Sequence, residues 1–316
     1  MIISASRRTD IPAFYSEWFL NRLKEGFVLA RNPMNHAQVS KITLSPDLVD
    51  CIVFWTKDPG NMMDKLAAVD SLGYQYYFQF TLTPYGRDIE PFLRDKELLI
   101  NAFIELSEVI GREKVMWRYD PIILNQDLTI EYHLEKFEYL CGRLKGYTDV
   151  CSISFVDIYS KLSKTVKNRI LREITGDEMH RLTKGFADIS RKYGIELRSC
   201  CENINLSDYG LKPARCIDKA LIEKICGCRL TAKPELNQRE GCACIQSIDI
   251  GAYNTCLHGC IYCYANYSHQ AVESNSRKHD PMGDILIGSV DKDEKVNLRK
   301  MQSLKEYNYS FLPDNE

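Results

Sequence analysis

Short apolar runs alternate with longer amphipathic stretches along this chain, and the alternation predicts strands and helices in turn. The runs at 2–6, 27–30, 51–55, 76–82, 115–119, 150–156, 195–198 and 248–253 read as buried strands. Apolar residues at helical spacing fill most of the gaps. Phe14, Trp18, Phe19 and Leu23 mark a helix over 14–24 that Gly26 stops, and Met62, Leu66 and Val69 mark another that ends at Gly73. Longer helices are predicted over 93–110, 129–144 and 178–193, and a shorter one starts near Cys216. Between 33 and 48, alternating apolar positions predict a small hairpin insertion.

Strands that alternate with helices predict βαβ units and a parallel sheet. Eight such strands predict an α/β fold of the (β/α)8 TIM-like barrel kind, with an open doubly wound sheet as the alternative. Polar residues follow nearly every strand: Arg7, Arg8 and Asp10, then Arg31 and Asn32, Lys57 and Asp58, Thr81 and Thr83, Arg118 and Asp120, Ser154 and Asp157, Cys200 and Glu202. In either architecture these carboxyl ends gather at the face where ligands bind. The expected organisation is one barrel domain over 1–273, including a cysteine-rich region at 200–266, and a polar extension over 274–316.

Composition narrows the partners. Hydrophobic residues make up 45% of the 316-residue chain and charged residues 27%, a globular balance, and the net charge of −2 gives no global field for nucleic acid. No run approaches the roughly 18–20 apolar residues of a membrane span. The opening MIISASRRTD lacks the features of a signal peptide, so the expected location is the cytoplasm. Thirteen cysteines are then too many for chance, because a reducing compartment disfavours disulfides and leaves metal binding or catalysis. Cys51, Cys141 and Cys151 sit among apolar residues and read as core, whereas the other ten fall between Cys200 and Cys263.

The densest chemistry is Cys256-Leu-His-Gly-Cys260-Ile-Tyr-Cys263, spaced C-x3-C-x2-C after an apolar strand. Cluster thiolates normally come in fours. Three on one loop can hold a cubane iron–sulfur cluster by three irons and leave the fourth iron for a group that is not protein. A structural zinc is the competing reading, with Cys260 and Cys263 as one knuckle, Cys242 and Cys244 as the other, and His258 in reserve. Cys200, Cys216, Cys242 and Cys244 can also form a second site, for another iron–sulfur cluster or a zinc. Arg7, Arg8, Arg31, Lys57 and Arg118 suit carboxylate or phosphate at the mouth. His36, His133 and His180 read as solvated or hydrogen-bonded.

The triplet, with Tyr262 just before its third cysteine, resembles the C-x3-C-x-aromatic-C motif of the radical S-adenosylmethionine enzymes, and the string from Cys256 to Ala265 is most similar to the spore photoproduct lyase branch. That resemblance implies a 4Fe-4S cluster on Cys256, Cys260 and Cys263, S-adenosyl-L-methionine on the open iron, and a deoxyadenosyl radical that takes hydrogen from substrate. It further implies Tyr262 near the adenine and a reductant such as flavodoxin or ferredoxin. The superfamily's loop follows the first barrel strand, whereas here it follows the last, which circular permutation would reconcile. The whole chain resembles the family called domain of unknown function 1848. Ser6-Arg-Arg-Thr-Asp10, Phe54-Trp-Thr-Lys-Asp-Pro59, Trp117-Arg-Tyr-Asp-Pro121, Cys216-Ile-Asp218, Gln238-Arg-x-x-Cys-x-Cys244, Asp249-Ile-Gly-x-Tyr253 and His279-Asp-Pro281 carry that likeness. No Gly-Gly-Glu follows a second strand, so the methionine-binding role is expected of Arg7, Arg8 or Asp10. A regulatory or electron-transfer metal protein and a nucleic-acid lesion lyase are the alternatives, and the substrate is unspecified.

Overall fold

Seven of the eight apolar runs pair in one sheet. The computed structural model describes residues 1–157, 172–202, 204–236, 239, 241–292 and 294–306. The strands are β1 (Ile2–Ala5), β2 (Phe27–Asn32), β3 (Asn35–Thr43), β4 (Cys51–Thr56), β5 (Tyr76–Thr81), β6 (Val115–Ile122), β7 (Val150–Phe155), β8 (Glu196–Ser199), β9 (Lys212–Pro213), β10 (Ile248–Asp249) and β11 (Lys295–Leu298). Eight of them form a sheet in the order β10-β1-β4-β5-β6-β7-β8-β9, with every ladder parallel. The last strand of the sheet therefore lies beside the first, with Ile3 opposite Ile248 and Ser4 opposite Asp249. Among the described strands no ladder joins β9 to β10, so the observed pairings make a barrel-like α/β sheet and leave its closure open.

The sheet is buried on both faces, as parallel sheets are. One face presents Ile3, Ile52, Phe54, Phe78, Phe80 and Trp117 to the helices. Those helices are α1 (Ile11–Phe14), α2 (Ser16–Glu25), α3 (Gly60–Met63), α4 (Leu66–Ser71), α5 (Lys96–Ile110), α6 (Ile130–Leu144) and α7 (Gly176–Tyr193). The alternate residues Ile2, Cys51, Val53, Tyr77 and Met116 pack instead against Cys200, Ala214, Cys216, Ile217, Cys244 and Ile245. The cysteine-rich segment, which includes α8 (Lys219–Cys226), thus covers the sheet's second face. The helix α9 (His269–Ser276) follows the three-cysteine loop.

Several expectations change. The run at 27–30 belongs to a separate sheet in the order β11-β3-β2. The segment over 33–48, expected to form a hairpin of its own, supplies instead the single strand β3, which returns antiparallel on β2 after a tight reversal and takes up its hydrogen-bonding edge. The eighth place in the main sheet goes to β9, two exposed residues with no apolar run to announce them. The helix expected over 14–24 breaks at Tyr15, whose backbone is not helical and whose hydroxyl donates to the Thr255 carbonyl at 2.6 Å. The polar extension packs as far as it is described. β11 pairs with β3, Leu29 bridges Ile285, Trp18 Nε1 donates to the Gly283 carbonyl at 2.8 Å, and Arg22 pairs with Asp284 at 2.9 Å. Residues 307–316 of that extension and Gln238 of the Gln-Arg motif lie outside the described residues. Among the described residues no helix is long and apolar enough to cross a membrane.

Candidate metal centre

The carboxyl ends of the strands open on one cavity of about 570 Å³. Arg7, Arg8 and Asp10 reach it from β1, Trp55 and Lys57 from β4, Thr81 from β5, Arg118 and Asp120 from β6, and Ser154 and Asp157 from β7. Cys200 and Cys201 follow β8, and Cys216, Cys242 and Cys244 come from the covering segment. Cys256, Cys260 and Cys263 complete the wall with His258, Tyr262 and Tyr264. All the cysteines expected in the two sites therefore face one space. Arg31 does not. It sits in the small sheet, paired with Glu294 at 2.7 Å, because β2 left the main sheet. Asp58 is likewise absent from the wall and pairs with Arg94.

The triplet loop is held by backbone geometry and by carboxylates. Asp249 on β10 accepts from Ser4 Oγ at 2.9 Å, Ser6 Oγ at 2.6 Å, Arg7 N at 2.8 Å and Gly251 N at 3.0 Å. One partly buried carboxylate thus ties the strand before the loop to the end of β1. Gly251 lets the two segments close, since a Cβ there would sit 2.1 Å from Ser6 Oγ. Gly259, inside the loop, has φ +69°, a left-handed conformation that favours glycine, and a Cβ there would also press on the exposed Phe92 ring at 2.7 Å. Ile261 N donates to the Ile89 carbonyl at 3.1 Å and Phe92 N to the His258 carbonyl at 3.3 Å. His258 Nε2 bonds Asp10 Oδ2 at 2.8 Å.

Burial pushes all three thiols up, Cys260 to about 12, although Lys57 opposes the shift at Cys260 and Cys263. Such thiols hold their protons until a metal displaces them. Tyr262 is buried, and its hydroxyl donates to Glu90 Oε1. The same oxygen accepts from Lys57 Nζ at 2.7 Å and Thr83 Oγ1 at 2.9 Å, and Lys96 Nζ bonds Glu90 Oε2. Burial alone would raise the Glu90 carboxyl, but Lys57 and Lys96 overcome it and hold it at about 2. The aromatic residue of the triplet is therefore a fixed wall.

Among the described residues no three His, Cys, Asp or Glu side chains converge as ligands of a single metal ion do. A cubane asks for a different arrangement, because each thiolate binds its own iron and the sulfurs must stand apart around the cluster. Three thiols on one loop, all facing the cavity, suit that demand. The residues expected to hold the methionine end fare differently. Asp10 is used up: Oδ1 accepts from Ala13 N at 3.0 Å, and Oδ2 accepts from Lys57 N at 2.7 Å and bonds His258. Arg8 lies over the Tyr253 ring at 5.4 Å and donates to the Gly251 carbonyl at 3.3 Å. Arg7 keeps a buried Nη2 without a hydrogen-bond partner, and its guanidinium rests on Trp55 at 5.3 Å.

The other cysteines form a series. Cys201 neighbours Cys242, Cys200 Sγ lies 3.9 Å from Cys201 Sγ and 4.0 Å from Cys216 Sγ, and Cys216 neighbours Cys244. Cys201 had no expected role, although its place beside Cys200 was a signal. Glu90 and Asp249 were also missed. Glu90 belongs to no motif, and only the fold brings it to Lys57. Cys226, outside the cavity, donates its thiol to the Asp50 carbonyl at 3.1 Å.

No curated protein is significantly similar to this chain. Among solved structures, a crystal structure of a Bacteroides thetaiotaomicron protein provisionally named an alpha-L-fucosidase is similar at 9% identity and a TM-score of 0.26. The match covers 66% of this chain and 78% of that one. The family model described as domain of unknown function (DUF1848) matches residues 2–265, a span that includes every cavity residue named above, and the chain belongs to that family.

Proposed function

We propose that this chain is a radical S-adenosylmethionine enzyme on a circularly permuted (β/α)8 barrel, with Cys256, Cys260 and Cys263 as ligands of a 4Fe-4S cluster. The observation that carries the reading is the pairing of β10 with β1. It brings the three-cysteine loop, which follows the last strand, to the first strand's carboxyl end. Bound there, the cluster would supply one electron to the sulfonium of S-adenosylmethionine and so yield a deoxyadenosyl radical.

The chain's own residues would do the rest. Arg7 offers a buried N–H to a carboxylate, such as that of the methionine moiety. Tyr262, braced by Glu90, gives a rigid aromatic surface. Asp10 and His258 hold the loop in place. The carboxyl-end cavity limits water around substrate, and a small reductant protein, a flavodoxin or ferredoxin, is the expected electron source.

Anaerobic reconstitution with iron and sulfide, followed by reduction and an assay for deoxyadenosine, tests the reading. Release of deoxyadenosine from S-adenosylmethionine is expected, and Cys260→Ala should abolish it. A reduced cluster protein that neither binds nor cleaves S-adenosylmethionine would sink the proposal. Tightly held zinc without iron would favour a regulatory metal protein.

A further inference from the structure

The other five thiols of the cavity come from three separate stretches of chain, and the fold, not local spacing, makes them neighbours. Cys200 and Cys201 follow β8, Cys216 precedes α8, and Cys242 and Cys244 precede β10. Their contacts run in sequence around one wall of the cavity: Cys242, Cys201, Cys200, Cys216, Cys244. The sheet's covered face positions the centre of that series. Tyr77 Oη and Gln79 Nε2, both from β5, donate to the Cys216 carbonyl at 2.7 and 2.9 Å. Arg118 on β6, 6% exposed, donates from Nη1 to Cys216 Sγ at 2.8 Å. Ile217 N points at Cys244 Sγ at 3.5 Å.

One comparison separates this group from ordinary buried cysteines. Cys51 and Cys141 are also buried, but no guanidinium donates to either sulfur among the described contacts. A guanidinium is a poor neighbour for a neutral thiol and a good one for sulfur that carries negative charge. Arg7 flanks the same wall, stacked on Trp55 with Arg118 on the same ring at 5.6 Å. The wall thus sets two guanidiniums against a row of sulfurs, Arg118 sharing its other nitrogen with the Asp120 carboxylate.

We propose that Cys200, Cys216, Cys242 and Cys244 ligate a second iron–sulfur cluster, with Cys201 beside it and with Arg118 donating a hydrogen bond to the Cys216 sulfur. Four cysteines are the usual full ligand set of such clusters, and hydrogen bonds to the sulfurs are one of the protein's means of setting their potential. The spread-out series favours a polynuclear cluster over zinc, which needs four donors converging on one point. Each thiol would give up its proton as its sulfur takes an iron. The inference is independent of the radical reading, since it concerns a different set of sulfurs and is read from metal content.

The experiment is anaerobic reconstitution of the full chain with iron salts and sulfide, followed by iron, sulfide and zinc analysis and electron paramagnetic resonance of the reduced protein. The triple variant Cys256→Ala, Cys260→Ala, Cys263→Ala should keep about half of the wild-type iron, as one of two equal clusters would remain. The double variant Cys216→Ser, Cys244→Ser should lose a comparable share and keep the triplet's signal. Circular dichroism checks that each variant is folded, and Arg118→Lys supplies a milder change that should shift the second signal's reduction potential. A triple variant that is folded and free of iron would overturn the inference. So would wild-type protein holding only one cluster's iron, or zinc in place of iron.

Discussion

Asp10 has two carboxylate oxygens and three partners, and those partners belong to a helix start, the end of β4 and the cysteine loop. Individual side chains at this cavity are mostly spent on holding loops, which is why a polar residue at a strand end need not be a ligand. His133 makes the same point in the core. It is fully buried, with Nε2 bonded to the Ile123 carbonyl and Nδ1 to the Tyr119 hydroxyl, each at 2.8 Å. Burial lowers it from 6.5 to about 4, against the Ile123 bond. The unfolded chain therefore binds more protons than the folded one between these values. Stability is fully present above pH 6.5 and falls as the pH drops toward 4, by about 3 kcal/mol in all. His133→Gln should flatten that slope in urea titrations run across the window, and an unchanged slope would contradict the account.

The pairing of β10 with β1 rests on two residues of ladder and on Asp249. So short a ladder holds little by itself, and the carboxylate with its four donors supplies the lock. Asp249→Ala leaves several buried donors unpaired, and the cost should be of order 3 kcal/mol. The loop that follows should also loosen. Alkylation of Cys256, Cys260 and Cys263 in metal-free protein, followed by mass spectrometry, should run faster in the variant than in the wild type, and equal rates would count against Asp249 as the lock. The swap of β2 for β9 has a matching cause. β2 has a hairpin partner next to it in sequence, and local pairing closes a small loop at small entropic cost. β9 joins only because the chain after β8 runs along the sheet edge.

Across the molecule the two faces of the sheet divide the labour. Helices cover one face and bury its apolar residues, while the cysteine-rich segment covers the other and brings its sulfurs to the cavity. The stretch after Asp280 completes the helical side. Ile285 and Leu286 are buried, and β11 extends the small sheet. Deleting residues 281–316 should cost at least about 3 kcal/mol from those two side chains alone. A denaturation midpoint equal to that of the full chain would show that the stretch is dispensable. The α/β alternation, the strand ends that would meet at one face, and the two groups of cysteines that the cavity brings together were all legible from periodicity and spacing. Those features are local, since each follows from which side chains lie a few residues apart. Which strand takes the eighth place, which arginine keeps an unpartnered N–H, that Cys201 and Asp249 line the cavity, and that Glu90 braces Lys57 and Tyr262 behind it were decided by tertiary contact. Glu90 meets Lys57 across 33 residues and Asp249 meets Ser4 across 245, and no pattern within a run of sequence encodes such encounters.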